Sequence, residues 1–162
     1  INGKMLQQRK TQLEDAEKEF LQIRSYLPKD QLMASTFQFV LYYLSGDTPR
    51  KAIRHINYAL RNSDNTRKDI YELVLLSELV VHFRLGNIDL LESKLIAFKK
   101  YIQKNEMVFG FTHTIPSHFS KLIREPEELK HYKNMIAEAE QNMKEENKAF
   151  YLNFNPLLHI KN

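Results

Sequence analysis

Apolar residues recur every three or four positions along most of this chain, which is the spacing of one face of an α-helix. In the first such segment the apolar residues are Leu13, Ala16, Phe20, Ile23 and Leu27. The same period continues through four further segments, each bounded by Pro, Gly or a short polar run. We therefore predict an all-α protein with helices over 4–27, 31–45, 49–62, 66–85 and 88–104.

The C-terminal third has a weaker pattern. Gly110 and Pro116 interrupt positions 106–117, so we expect a loop or a broken helix there. A short helix over 118–124 and a last helix over 127–147 follow, which brings the expected total to about seven. The tail 150–160 is apolar enough to pack against the rest of the chain.

Two glycines mark the corners between neighbouring helices. We expect Gly46 to adopt the left-handed conformation that ends a helix, Thr48 to cap the next one, and Pro49 to occupy its first turn. Gly86 and Asn87 are expected to form the next corner in the same way. Each corner joins two antiparallel helices, so the pattern predicts a series of αα-hairpins.

The hairpins form an internal repeat, because Gly46 and Gly86 are related by a shift of 40 positions that also aligns Tyr43 with Phe83. Here the chain resembles the tetratricopeptide repeat (TPR) family. Four residues fall at that family's aromatic, small, large and small positions: Tyr43, Ala52, Ile56 and Ala59. The first helix matches the second half of such a repeat through Ala16, Phe20, Ile23 and Pro28.

This resemblance implies a right-handed superhelix of αα-hairpins forming one TPR-like domain over 1–162. Its expected parts are a half repeat (1–28), a repeat (30–62), a degenerate repeat (66–104) and irregular C-terminal capping helices with a tail (105–162). Because the chain opens with half a repeat and lacks an initial Met, we expect a C-terminal piece of a longer protein. Segment 84–93 also resembles a stretch found in bacterial repeat proteins.

The TPR resemblance further implies a non-catalytic scaffold that binds a protein or peptide. In that family the first helix of each hairpin lines the concave side, which gives a candidate partner groove of Phe37, Gln38, Leu41, Ser45, Ser77, Glu78, Val81 and Arg84. The mostly apolar lining suits a hydrophobic helix. Alternatively the chain's own tail fills the groove, through Tyr151, Leu152, Phe154, Leu157 and Leu158.

A basic cluster supports a different function, a nucleic-acid-associated helical module. It contains Arg50, Lys51, Arg54, Arg61, Arg67 and Lys68. The net charge of the 162-residue chain is only +4, however, well short of a typical nucleic-acid binder. A solvated helix face is the simpler interpretation, and we disfavour nucleic acid as the partner.

Composition excludes several kinds of functional site. The chain has no Cys, which excludes disulfides, thiolate zinc sites and thiol nucleophiles. The absence of Cys fits a reducing compartment, and we expect a cytoplasmic protein. No apolar run approaches the roughly 20 residues of a membrane span, so we expect no membrane span. A secretory leader is absent as well, which would not locate the longer protein of which we expect this chain to be a piece.

Signals for catalysis are weak. His113 and His118 have no carboxylate between them, and His82, with Glu78 one helical turn away, suits a core histidine hydrogen-bonded to that carboxylate. We predict no enzyme activity, no cofactor and no metal site.

The first helix offers one more candidate surface. If its partner helix is missing, Leu6, Leu13 and Phe20 should lie partly bare, and a homodimer could cover them.

Overall fold

The computed structural model describes residues 3–46, 48–63 and 67–125, with four isolated positions at 133, 134, 137 and 141. Side-chain surroundings are described from residue 11 onward. Within this part of the chain there is no strand, and the all-α prediction is confirmed. The six helices are α1 (Gly3–Ile23), α2 (Lys29–Ser45), α3 (Pro49–Asn62), α4 (Lys68–Arg84), α5 (Ile88–Lys104) and α6 (Ile115–Arg124).

The first five helices agree with the periodicity to within a few residues at each end. Two short 3₁₀ turns, Arg24–Tyr26 and Gly110–His113, extend α1 and precede α6. The helix predicted over 118–124 begins three residues earlier, because Pro116 fits the first turn of a helix. The predicted last helix, the apolar tail and its proposed groove-filling residues lie outside the described residues.

From α2 to α6, consecutive helices pack against each other, and α4 lies at the centre, in contact with α2, α3 and α5. Its sequence is apolar around most of its circumference, as expected of a helix covered on several sides. Its fully buried apolar side chains include Leu73, Val74, Leu76, Leu79, Val80 and Val81. The core is therefore organised around α4.

The two glycine corners differ in conformation. Gly86 has φ +66°, and the amide of Asn87 donates to the carbonyl of His82 at 3.0 Å, as in a helix ending on a left-handed residue. Gly46 has φ −99° and ψ −172°, which is extended backbone, so the left-handed prediction is wrong there. The amide of Gly46 still donates to Tyr42 at 3.2 Å, and this bond ends α2 without a positive φ.

The predicted helix starts are only partly as expected. Pro49 is the first residue of α3, and Thr48 and Asn87 occupy the N-cap positions of α3 and α5. Neither of these two side chains hydrogen-bonds to a described backbone amide of its helix, so the predicted side-chain capping is absent at both.

Helix α1 packs on α2 through aromatic rings. The ring of Phe20 lies 5.2 Å from that of Phe39, and Phe39 stacks on the imidazole of His55 in α3 at 5.3 Å. Phe20 is only 7% exposed, so the prediction of a partly bare Phe20 is wrong. Leu13 is half-buried against the same core, and the side chain of Leu6 is outside the described part.

A buried carboxylate holds the irregular stretch before α6. Glu72 in α4 is fully buried and accepts hydrogen bonds from the amide of Val108 (2.5 Å), the amide of Phe109 (3.2 Å) and the hydroxyl of Thr112 (3.3 Å). The two amides belong to an irregular segment in which the chain turns, and Glu72 is an acceptor for both. Glu72 thus fixes the segment that leads into α6.

Candidate functional site

The structure divides the predicted partner groove into buried and accessible residues. Four side chains are buried: Phe37, Ser77, Glu78 and Val81. Gln38 and Ser45 are exposed, and Leu41 and Arg84 are half-buried. On α4, therefore, three of the four groove residues face the interior of the chain.

The polar groove residues of α4 have partners within the chain. The Lys94 ammonium pairs with the Glu78 carboxylate at 2.7 Å, and the Ser77 hydroxyl donates to the Leu73 carbonyl at 2.7 Å. The Arg84 guanidinium donates to the carbonyl of Leu44 and, at 3.2 Å, to that of Gly46. These contacts join α4 to α5 and to the end of α2.

His82 is a buried residue, as expected. Burial lowers the pKa of His82, an effect that Glu78 opposes without reversing. Its Nδ1 lies 3.4 Å from the side-chain amide nitrogen of Asn87, and Glu78 pairs with Lys94. His82 thus contacts the α4–α5 corner.

Several members of the predicted basic cluster are paired with carboxylates of the chain. Lys51 pairs with Glu14 at 3.4 Å, Arg54 pairs with Glu17, and Arg67 holds Asp69 through two bonds of 2.8 and 3.0 Å. The exposed members are Arg50, Lys51, Arg54, Arg61 and Lys68. Two of these exposed members, Lys51 and Arg54, are therefore paired with carboxylates of α1.

Sequence reasoning missed Glu17 in α1, a buried carboxylate with three hydrogen-bond partners among the described residues. Its carboxylate accepts hydrogen bonds from the Tyr43 hydroxyl at 2.5 Å, from His55 Nε2 at 2.6 Å and from the Arg54 guanidinium. Glu17 is 7% exposed, whereas Ala16, which the periodicity assigned to the apolar stripe, is exposed. The available signal was its spacing from Leu13 and Phe20, four and three positions away on the same helix face.

The surroundings of Glu17 determine its charge. Burial alone would raise the pKa of Glu17, but hydrogen bonds from Tyr43 and His55 and the charge of Arg54 outweigh it and lower the pKa. Burial lowers the pKa of His55, and burial followed by the Glu17 hydrogen bond raises the pKa of Tyr43. The arrangement is an ionised carboxylate that accepts from a neutral imidazole and a neutral phenol.

Beside this network, α1 and α3 enclose a groove, which we call the α1–α3 groove. One part, of about 410 Å³, is lined by Glu14, Glu17, Lys18, Leu21, Lys51 and Arg54. The second part, of about 430 Å³, is lined by Leu21, Arg24, Arg54, Asn57, Tyr58 and Arg61. Leu21 and Arg54 line both parts, so the two parts lie next to each other.

The two walls of the groove run in the same direction. Glu14 pairs with Lys51 at one end, Glu17 with Arg54 in the middle, and the Arg24 guanidinium lies 4.1 Å above the Tyr58 ring at the other end. Residue numbers therefore rise together on both helices. Among the described residues, the first part of the groove combines two carboxylates with three cations, whereas the second part is lined by three arginines and no acid.

The two histidines considered for a metal site have different environments. His113 is exposed at the end of a 3₁₀ turn, and His118 is buried in α6. Within the described ranges, no group of three or more His, Cys, Asp or Glu side chains could hold a metal ion. None of the helices described is both long enough and apolar enough to cross a membrane.

Comparison with known proteins gave no family model that matches the chain, and no curated protein or solved structure that matches it significantly.

Proposed function

We propose that this chain is a non-catalytic interaction module that binds a segment of a partner protein in the α1–α3 groove. The observation that carries the proposal is the lining of the groove. Leu21 and Tyr58 supply apolar surface between charged rims formed by both helices. Apolar and aromatic surface bordered by charged side chains is typical of protein interfaces.

A TPR-like repeat in a right-handed superhelix is the architecture we propose for the module. Supporting it, Tyr43, Ala52, Ile56 and Ala59 are all buried where α2 and α3 pack. The parallel course of α1 and α3 supports it as well, since both would be second helices of successive hairpins. The proposed domain boundaries, a bacterial origin and a cytoplasmic location belong to the same proposal.

The partner groove predicted on the first helices is the less favoured location for a partner. Phe37, Ser77, Glu78 and Val81 would have to leave the interior before a partner could contact them. The α1–α3 groove needs no such rearrangement, because its lining side chains already surround an unfilled volume.

Selection from an unbiased peptide-display library tests the proposal. We expect peptides that bind the wild-type chain and lose binding to Asn57→Trp, because the indole would fill the second part of the groove. Gln103→Trp, at an exposed position of α5, is the matched control and should retain binding. Peptides that bind both variants equally, or a library that yields no binder, would contradict the proposal.

A homodimer through the first helix stays a prediction. Burial of Phe20 removes part of its basis, although Ile23 and Tyr26 at the end of α1 are exposed. Light scattering after size exclusion gives the mass directly.

A further inference from the structure

We infer that the α1–α3 groove takes an acidic segment of its partner, with carboxylates at the Arg24–Arg61 end and an apolar side chain over Leu21. This inference rests on the proposed function and specifies the chemistry of the occupant. It depends on how charge is distributed along the groove, which differs between the two parts.

Positive charge without a compensating carboxylate is concentrated in the second part. Arg54 is paired with Glu17, whereas Arg24 and Arg61 form no ion pair with any residue of the described ranges. Asn57 lies between Arg54 and Arg61 on the same wall and adds a side-chain amide. Guanidinium groups and an amide are donors suited to carboxylate oxygens.

The spacing of these donors suits a peptide. Arg54, Tyr58 and Arg61 lie at i, i+4 and i+7 on one face of α3, so they extend over about 10 Å of helix axis. That is about three residues of extended chain. Arg24 approaches from the opposite wall, so a segment in the groove meets cations on both sides.

Arg24 is already positioned for binding. Its guanidinium lies 4.1 Å above the Tyr58 ring, and its side chain is half-buried. A cation held on an aromatic face loses less conformational freedom when a ligand binds than a freely rotating one. The same contact leaves the guanidinium edge available for hydrogen bonds.

The first part of the groove suits a continuous polyanion less well than the second part does, because it contains two carboxylates. A nucleic-acid strand carries a charge about every 3.4 Å, so a strand that continued along the groove would meet Glu14 and Glu17. A peptide can end its acidic run before those carboxylates and place an apolar residue against Leu21. The charge pattern therefore favours an acidic peptide with an apolar anchor.

Fluorescence anisotropy with a charge series tests the inference on the full chain. The probes are a labelled 12-residue peptide of Glu, Leu and Ser, the same peptide with Gln or with Lys in place of Glu, and a 12-nucleotide oligouridylate. We expect the Glu peptide to bind most tightly. Arg24→Gln combined with Arg61→Gln should weaken it roughly five- to thirtyfold, the scale of two exposed ion pairs, and leave the Gln peptide unchanged.

Lys100→Gln combined with Lys104→Gln is the control, since it removes the same charge from exposed positions of α5. It should change binding less than about twofold. Circular dichroism melting verifies that the arginine variant remains folded. The inference would be overturned if the Glu peptide did not bind, or if the Gln peptide or the oligouridylate bound equally or more tightly. An equal loss of affinity in the lysine control would also overturn it. If the display library yields neutral peptides whose binding is abolished by Asn57→Trp, the groove stands as the binding site and the acidic occupant is rejected.

Discussion

At the scale of single residues, Glu17 shows how a charge can be stable in the interior. An ionised carboxylate without partners would be costly to bury, but three donors from α2 and α3 point at this one. Tyr43 and His55 are buried themselves, so they would lose their hydrogen bonds to Glu17 if α1 moved away. Glu17 therefore links α1 to the next two helices and stabilises their packing.

We expect Glu17→Gln to lower the free energy of unfolding at neutral pH by about 1–3 kcal/mol, because an amide is a weaker acceptor for three donors. The lowered pKa of Glu17 sets the sign of the pH effect. Its ionised form stabilises the fold above the ordinary pKa range of Glu, and that contribution is lost as the pH falls through the lowered value. Urea unfolding from pH 7 into the acid range should therefore show a shallower acid decline in Glu17→Gln.

Glu19→Gln is the control, since this residue lies on the exposed side of α1. It should follow the wild-type curve within about 0.5 kcal/mol. If the Glu17→Gln chain were as stable as the control at every pH, the carboxylate would not stabilise the packing of α1.

At the scale of elements, the two corners allow a paired experiment on backbone conformation. We expect Gly86→Ala to lower the free energy of unfolding by about 1–2 kcal/mol, because φ is +66° and a side chain disfavours that conformation. Apart from the adjoining residues, no atom of the described part of the chain lies within 4 Å of the added Cβ, so the cost is conformational and does not come from a clash.

Gly46→Ala serves as the comparison, since this residue is extended and its added Cβ would lie 3.7 Å from the Tyr42 carbonyl, an ordinary contact. It should be neutral or stabilise by up to about 1 kcal/mol, because alanine restricts the unfolded chain. Urea unfolding of both variants distinguishes the corners. Equal destabilisation by the two substitutions would mean that the corners share one conformation.

Sequence periodicity was sufficient to locate the described helices, but it did not identify every residue on their buried faces. Ala16 and Ile23 fit the helical period of α1 as well as the buried residues do, yet both are exposed. Glu17 takes the buried position because its donors come from residues 26 to 38 positions away, which no local pattern can show. The groove was missed for the same reason, since Arg24 and Arg61 come together only when α1 packs beside α3.

At the scale of the whole molecule, Glu72 joins α4 to the segment before α6. Its contribution to stability should change with pH in the opposite direction to that of Glu17. Burial raises the pKa of Glu72 more than its hydrogen bonds from Val108, Phe109 and Thr112 lower it. Its contribution is thus full below the ordinary pKa of Glu, about 4.3, and is lost as the pH rises through the raised value.

We therefore expect wild-type stability to fall relative to Glu72→Gln between about pH 4 and neutral pH, because the variant cannot ionise. Chemical unfolding of both chains across that range measures the difference. Glu106→Gln, at an exposed position of the segment that Glu72 holds, should track the wild type. A pH-independent difference between wild type and Glu72→Gln would mean that this carboxyl does not titrate differently on folding.

For the helices that the structure describes, the sequence by itself determined their places and their ends to within a few residues, because helical periodicity and the Gly and Pro signals act over only a few positions. It also determined that α4 is covered on several sides, since an apolar circumference has to be buried. Tertiary structure alone decided which polar residues enter the core, as for Glu17 and Glu72, and which conformation Gly46 adopts. It also decided where charges from different helices meet, because those outcomes depend on partners that are distant in sequence.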